Sequence, residues 1–306
     1  MTGVREPGVL VPAYAKVNLC LWLGGPRADG RHELVTLFQS VTLTDWLAIE
    51  SLPAGQDDRV VCEGVSGPNL VAGALAGLRA AGWRAPALRV TIDKRIPVAA
   101  GMGGGSADAA AMLRCAPSVA PVAPEVVTEI AARLGADVPG QLDPGASIGT
   151  GAGEIVAPVV DLGEHSVLAL PQPASLSTAA VYGEADRLGL WRRPEELAAL
   201  RAELEQALRD GGSPAGTLPA RLTVNDLAPA ARSLCPAIDD GLELARDAGA
   251  DLALVCGSGP TVIGVFWGEG CAARAALAAE RVRSRFPGAV AADPVRRGSR
   301  PPLPNL

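Results

Sequence analysis

Residues 97–110 read Pro97-Val-Ala-Ala-Gly-Met-Gly-Gly-Gly-Ser-Ala-Asp-Ala-Ala110. The glycines at 101, 103, 104 and 105 run into an alanine-rich segment, Ser106 to Cys115, that reads as a helix. Glycine lets backbone N–H groups converge without side-chain obstruction. A helix N-terminus adds unpaired donors and partial positive charge, so the two together make an anion site. The plainer reading is a turn ahead of a helix capped by Ser106, and this stretch alone supports both. No Gly-Lys-Ser or Gly-Lys-Thr occurs in the chain, which excludes a Walker loop. Ser106 stands where the dinucleotide fingerprint needs its third glycine. The His-Arg-Asp and Asp-Phe-Gly signatures of protein kinases are also missing.

Around this stretch the chain mixes helices and strands without strict alternation, which predicts an α+β fold. Residues 9–23 and 34–50 are rich in Val, Leu, Thr and Trp and read as strands joined by the turn Gly24 to Gly30. Helices are expected over 68–81, 124–134, 194–209, 237–248 and 271–285. Strands are expected over 87–93, 252–256 and 261–267, with a final strand before the tail. Residues 145–153 read as a second small-residue loop. Pro139 is expected to hold Val138 in extended geometry after Asp137. The Pro-flanked passage Leu170 to Pro173 suggests a domain boundary. The expected division is 1–168, 169–295 and a disordered tail over 296–306.

Composition narrows the chemistry. The chain has 306 residues, 48% hydrophobic and 20% charged, as a folded protein of one or two domains should. The net charge of −6 carries no basic stripe, which argues against nucleic acid as a partner. Arg296, Arg297 and Arg300 form the one basic cluster and read as solvated. No apolar run approaches a membrane span, and the first ten residues lack an export signal. The six cysteines are scattered, as befits buried thiols in a reducing cytoplasm, and His32 and His165 are the only histidines. Of 27 basic residues only Lys16 and Lys94 are lysines. Lysine is a compact point charge with a tunable proton, whereas arginine is a fork that stays protonated. Lys16, in an apolar strand, is therefore the informative one; Lys94 reads as a solvated loop residue, and His165 as a surface residue.

The full stretch from Pro97 resembles the phosphate loop of the GHMP small-molecule kinases. Ala13-Tyr-Ala-Lys-Val-Asn-Leu19, Ala28-Asp-Gly-Arg-His-Glu-Leu34, Leu134-Gly-Ala-Asp-Val-Pro139, Asn225-Asp-Leu-Ala-Pro229 and Val255-Cys-Gly-Ser-Gly-Pro260 are similar, in order, to motifs of one branch of that family. That branch phosphorylates 4-diphosphocytidyl-2-C-methyl-D-erythritol in non-mevalonate isoprenoid synthesis. The resemblance implies an N-terminal domain like ribosomal protein S5 and a ferredoxin-like C-terminal domain. It implies ATP and Mg²⁺ as cofactors, a small cytidine diphosphate substrate, and either a monomer or a homodimer.

The site residues follow from the same match. Asp137 is implied as general base and Lys16 as its cationic partner. Pro97, Val98, Ala99, Ala100, Gly101, Met102, Gly103, Gly104, Gly105, Ser106 and Ala107 would hold ATP. Ser106 is also the implied Mg²⁺ contact, while Asp108 is expected in the first helical turn as a partner of the dipole. Asn18, His32 and Tyr182 would meet the substrate, His32 at the cytosine edge and Tyr182 stacking on the base. Gly257, Ser258 and Gly259 would close over the site. Three positions depart from the pattern. Arg31 replaces a tyrosine before the histidine, Gly140-Gln141 replaces bulky apolar residues of a strand beneath Asp137, and Ala152 replaces an arginine. They leave two other readings open: a family kinase for a different alcohol, and a catalytically weak ligand-binding relative.

Overall fold

The computed structural model describes residues 8–65, 67–160, 162–172, 174–210 and 217–297. Its first half is organised by one long hairpin, β1 (Val9–Pro26) and β2 (His32–Ser51), whose strands pair antiparallel from Val9 with Ile49 to Pro26 with His32. Alternating apolar residues make the outer part of β1 a one-faced strand. From Ala15 to Gly24 every residue is buried, because packing covers both faces there. The short strand β3 (Arg59–Cys62) and the helix α1 (Leu70–Ala80) follow. Asn69 caps α1 by accepting from Val71 N, the role that asparagine favours at that position. Strand β4 (Leu88–Asp93) pairs with β2 over Trp46 to Ser51 and runs parallel to β3.

Helix α2 (Gly104–Val119) begins two residues earlier than the sequence suggests. Two of the loop glycines are its first residues, and its N-cap is Gly103 at φ +70°, so Ser106 is not the cap. The helix α3 (Pro124–Leu134) ends at Gly135 as expected. Asp137 then caps a short helix, α4 (Val138–Leu142). Val138 is thus helical rather than extended. Its fully buried side chain and its N–H bond to Gly135 O outweigh the bias from Pro139, and Gly140-Gln141 lies in this helix, not in a strand. The expected loop at 145–153 is mostly strand: β5 (Ala146–Thr150) is wholly buried and pairs with β2 over Thr36 to Gln39. Five residues of small or mixed character carry no alternation, so only the pairing partner reveals them. Strand β6 (Ile155–Pro158) completes a six-stranded mixed sheet in which β1 lies along one edge of β2, and β4 and β5 share the other.

The second half is a four-stranded antiparallel sheet. Strand β7 (His165–Leu170) opens it, so the division expected at 168/169 falls within this strand. Helices α5 (Thr178–Leu188), α6 (Pro194–Arg209), α7 (Ala228–Leu234) and α8 (Ala237–Asp247) follow. Then come β8 (Leu252–Val255), β9 (Val262–Trp267), α9 (Cys271–Val282) and β10 (Val290–Ala292). The strand order is β10-β7-β9-β8, the split βαβ arrangement of a ferredoxin-like sheet. His165 is not at the surface: it is buried in β7, with Nδ1 2.8 Å from Gly163 O and its ring tilted against Trp267. Among the described residues all six cysteines are free, five of them buried and Cys62 partly so.

The halves are stitched along β1. Leu21 N bonds Val224 O, Asp226 N bonds Leu21 O, and Arg192 N bonds Leu23 O. Asp226 adds a bond to Leu23 N and a two-point pair with Arg192. The chain end is a second tie. Thr42 N bonds Asp293 O and Val295 N bonds Ser40 O. Arg297 is not a solvated tail residue: it pairs with Asp143 and donates to the carbonyls of Ala146 and Val159. The rest of the expected tail, 298–306, lies outside the described residues. Removing this guanidinium loses an ion pair with Asp143 and a donor to two partly buried carbonyls. We expect Arg297→Ala to lower stability by about 1–3 kcal/mol, read as a fall in the urea midpoint at unchanged slope. An unchanged midpoint would show that the tie contributes nothing.

Candidate functional site

Where the two halves meet, a cavity of about 620 Å³ opens over the N-terminus of α2. The first intrahelical bond is Ala107 N to Gly103 O, so the N–H groups of residues 104–106 precede it and are left for a ligand. Pro97 through Ser106 all line the cavity, whereas Ala107 is buried behind the first turn. Ala99 holds φ +55°, a left-handed conformation that costs a non-glycine residue on the order of 1 kcal/mol.

The loop is pressed against the segment joining β8 to β9. A side chain on Gly101, at φ +78°, would sit 2.7 Å from Gly259 O and 2.8 Å from Cys256 O. One on Gly257 would sit 3.0 Å from Asn18 Oδ1 and 3.4 Å from Lys16 Nζ. Only glycine permits this approach. Gly257 and Ser258 reach the cavity, while Gly259 lies underneath as the contact for Gly101. Asn225 holds the second loop by donating to Val255 O and Gly257 O. Its role is structural, a use that its place in a matched motif did not reveal. Thr178 and Ser258 join α5 to the same loop through hydroxyls 3.2 Å apart. Burial pushes the Cys256 thiol up, so it behaves as packing between the loops.

Lys16 sits at this junction. Its backbone N–H bonds Met102 O at 3.0 Å. Its ammonium donates to Asn18 Oδ1 at 2.8 Å and lies 3.4 Å from Asp137 Oδ2 and 5.4 Å from the centre of the Phe38 ring. Asn18 passes the connection to Thr36 Oγ1, which bonds Cys20 O. This relay aims a lysine that is 8% exposed at a carboxylate that is 35% exposed. The result is a cation with little freedom beside a carboxylate open to a ligand. Thr36 and Phe38 carried no signal in the sequence, since they come from the far strand of the hairpin.

Tyr182 lines the other end of the cavity. Burial, with a smaller push from the Asp137 carboxylate, raises its phenol to about 12, so the ring is neutral and electrically close to Asp137. His32 is buried behind it, ring centres 5.4 Å apart, with Nε2 2.7 Å from Asp186 Oδ1. It meets the cavity through Tyr182 rather than directly. Arg31 points away and pairs with Asp29 at half exposure.

Two expectations fail beside the N-terminus of α2. Lys94 is not solvated: its side chain is 13% exposed, and its ammonium bonds both Asp45 and Asp108. Asp108 lies beyond the first turn of α2, buried against Lys94 rather than answering the dipole. Burial raises its carboxyl to about 7 against the pull of Lys94, and Asp45 adds to the rise. For Lys94 itself the two carboxylates outweigh burial and hold the ammonium above its usual value. Asp45 is fully buried and had no motif to announce it. Among the described residues no group of three His, Cys, Asp or Glu side chains is placed to hold a metal.

Comparison with known proteins supplies the lineage. The family descriptions "GHMP kinases N terminal domain" and "GHMP kinases C terminal" match residues 69–151 and 200–285. The chain is 43% identical to 4-diphosphocytidyl-2-C-methyl-D-erythritol kinase of Streptomyces coelicolor, over 83% of this chain and 86% of that protein. It is 42% identical to the kinase of the same name from Nocardia farcinica, over 92% and 91%. A crystal structure of 4-(cytidine 5′-diphospho)-2C-methyl-D-erythritol kinase superposes with a TM-score of 0.73 at 31% identity, covering 93% of this chain and 98% of that one. Homoserine kinase from Cytophaga hutchinsonii shares the fold at TM-score 0.70 and 15% identity, over 97% and 98%. Identity at this level, over nearly the whole length and through both halves, leaves one conclusion: the chain belongs to the GHMP kinase family, in its 4-diphosphocytidyl-2-C-methyl-D-erythritol kinase branch.

Proposed function

We propose that this protein transfers the γ-phosphoryl group of ATP to the 2-hydroxyl of 4-diphosphocytidyl-2-C-methyl-D-erythritol, releasing ADP. The observation that carries the reading is the Lys16–Asp137 pair, 3.4 Å apart, in the same cavity as the N-terminus of α2 and Tyr182. Phosphoryl transfer needs positioning and charge stabilisation more than covalent chemistry by the protein. Backbone donors at the start of α2 hold the phosphates of ATP. Asp137 accepts the proton of the substrate hydroxyl, and Lys16 holds that hydroxyl near the carboxylate and offsets charge on the phosphoryl oxygens. Asn18 keeps the ammonium aimed. Tyr182 offers its face to the cytosine, and His32, steadied by Asp186, backs that ring. Ser106 offers a hard oxygen on the cavity wall, of the kind Mg²⁺ takes beside nucleotide phosphates. When bound, the ion would supply positive charge that offsets that of the phosphates. No helix among the described residues is long and apolar enough to cross a membrane, and six free thiols suit a reducing cytoplasm.

The direct test is ADP release by purified protein with Mg²⁺, ATP and a panel of alcohols. Release only with the cytidylylated alcohol is expected. Release with another alcohol, which the outward-facing Arg31 would then explain, or with none, overturns the reading. Lys16→Ala and Asp137→Asn should each cut kcat by about 10²–10⁴-fold while ATP still binds; near-normal turnover in either would sink its assigned role. Tyr182→Ala should raise KM for the cytidylylated alcohol by about 10–100-fold, the loss of one stacked base, and leave KM for ATP unchanged. Gly101→Ala should abolish nucleotide binding, measured by titration calorimetry, because its methyl would overlap two backbone oxygens.

A further inference from the structure

Lys94, Asp45 and Asp108 form a buried charge cluster beside the site, with Lys94 and Asp108 on the cavity wall, and the chemistry described above gives it no role. Asp45, on β2, accepts the backbone N–H groups of Arg95 and Ile96 through one oxygen and the Lys94 ammonium through the other. Lys94 follows directly on β4, and its ammonium reaches across to Asp108 Oδ2, 2.8 Å away on α2. Residues 95–107, the whole phosphate loop and the first turn of its helix, lie between these two ends. The contact closes that segment at its base, while Asp45 fastens the closure to the sheet.

As a source of stability the cluster is poor. It carries two carboxylates for one ammonium, and Asp108 Oδ1 is buried without a hydrogen-bond partner. An apolar trio of similar volume would suit a core at least as well. Space also explains the choice of residue. Lys94 Nζ lies 3.1 Å from where a side chain on Gly104 would begin, which fits a point ammonium and leaves little room for a planar fork. A chain that writes 25 of its 27 basic residues as arginine keeps its two lysines beside the N-terminus of α2, Lys16 against Gly103 and Lys94 against Gly104.

We propose that Lys94 is a positioning residue, clasping the end of β4 to α2 through Asp108 so that the N-terminus of α2 is held where nucleotide phosphates must dock. The proposal rests on the reading of the cavity as a nucleotide site, and it differs from a direct contact between Lys94 and the phosphates. A direct contact predicts that removing Asp108 frees the ammonium and tightens ATP binding. The clasp predicts the opposite.

The test compares wild type with Lys94→Met, Asp108→Ala and the double variant. Each single variant should raise KM for ATP about tenfold or more, with kcat within threefold and KM for the alcohol unchanged. The double variant should be no worse than the worse single one, because both remove one shared interaction. Hydrogen exchange of the nucleotide-free proteins should be at least tenfold faster across residues 95–107 in the variants and unchanged in β7 to β9. Asp108→Ala leaves Lys94 its Asp45 partner and decides the matter where Lys94→Met does not fold. Unchanged or tighter ATP binding in Asp108→Ala, additive losses in the double variant, or unaltered exchange over 95–107 would overturn the clasp. Absence of ADP release by wild type would instead defeat the functional reading, and the exchange measurement would still decide the clasp.

Discussion

The cleft is built on a close approach of backbones. The phosphate loop and the β8–β9 loop come from opposite halves of the chain, and they touch at Gly101, Cys256 and Gly259 with only the small Cys256 thiol packed between them. Lys16 N–H bonds Met102 O in the same layer. Lys16 and the glycine-rich loop are therefore fixed to each other by main chain. Side-chain freedom enters only at the last atoms. Transfer between two bound molecules tolerates little error in position, and a site assembled from two sheets would drift if its halves met through long flexible side chains. Glycine at the contact removes that slack.

Charge is arranged with the same economy. The protein carries a net charge of −6 and must accept a polyanion. The cavity offers helix donors and an ammonium beside Asp137 rather than a basic surface. Both lysines work by being held. Lys16 is aimed by Asn18 and Thr36 and faces a carboxylate open to ligand, whereas Lys94, on the wall of the same cavity, is held between two buried carboxylates. The same residue type thus serves two purposes, and the difference lies in which neighbours surround it.

Several elements were legible from local pattern because local physics dominates them. The apolar spacing over 68–81 announces α1, and Pro124 and Gly135 bracket α3. The hairpin β1–β2 announces itself by its apolar strands and polar turn. Other elements depend on partners far away in sequence. Residues 146–150 look like loop until β2 is beside them. Val138 is helical because its side chain is buried, although Pro139 argues for extended backbone. His165 and Arg297 look like surface residues until β7 and the chain end are placed.

Taken alone, the sequence determined the family, the order of its motifs, and the residues at which a phosphate loop, a lysine and an aspartate come into play. Those features are carried by residue identity at short spacing, where glycine's missing side chain or lysine's point charge already implies a use. Tertiary structure decided how they meet. It showed that Lys94 is ion-paired and not solvated, that His32 stands behind Tyr182, and that the glycine motifs press on each other. It also brought Thr36, Asp45 and Asp186 beside them. The reason is physical: burial, ion pairing and backbone approach are properties of distance, and residues from 14 to 154 positions apart in sequence set those distances here.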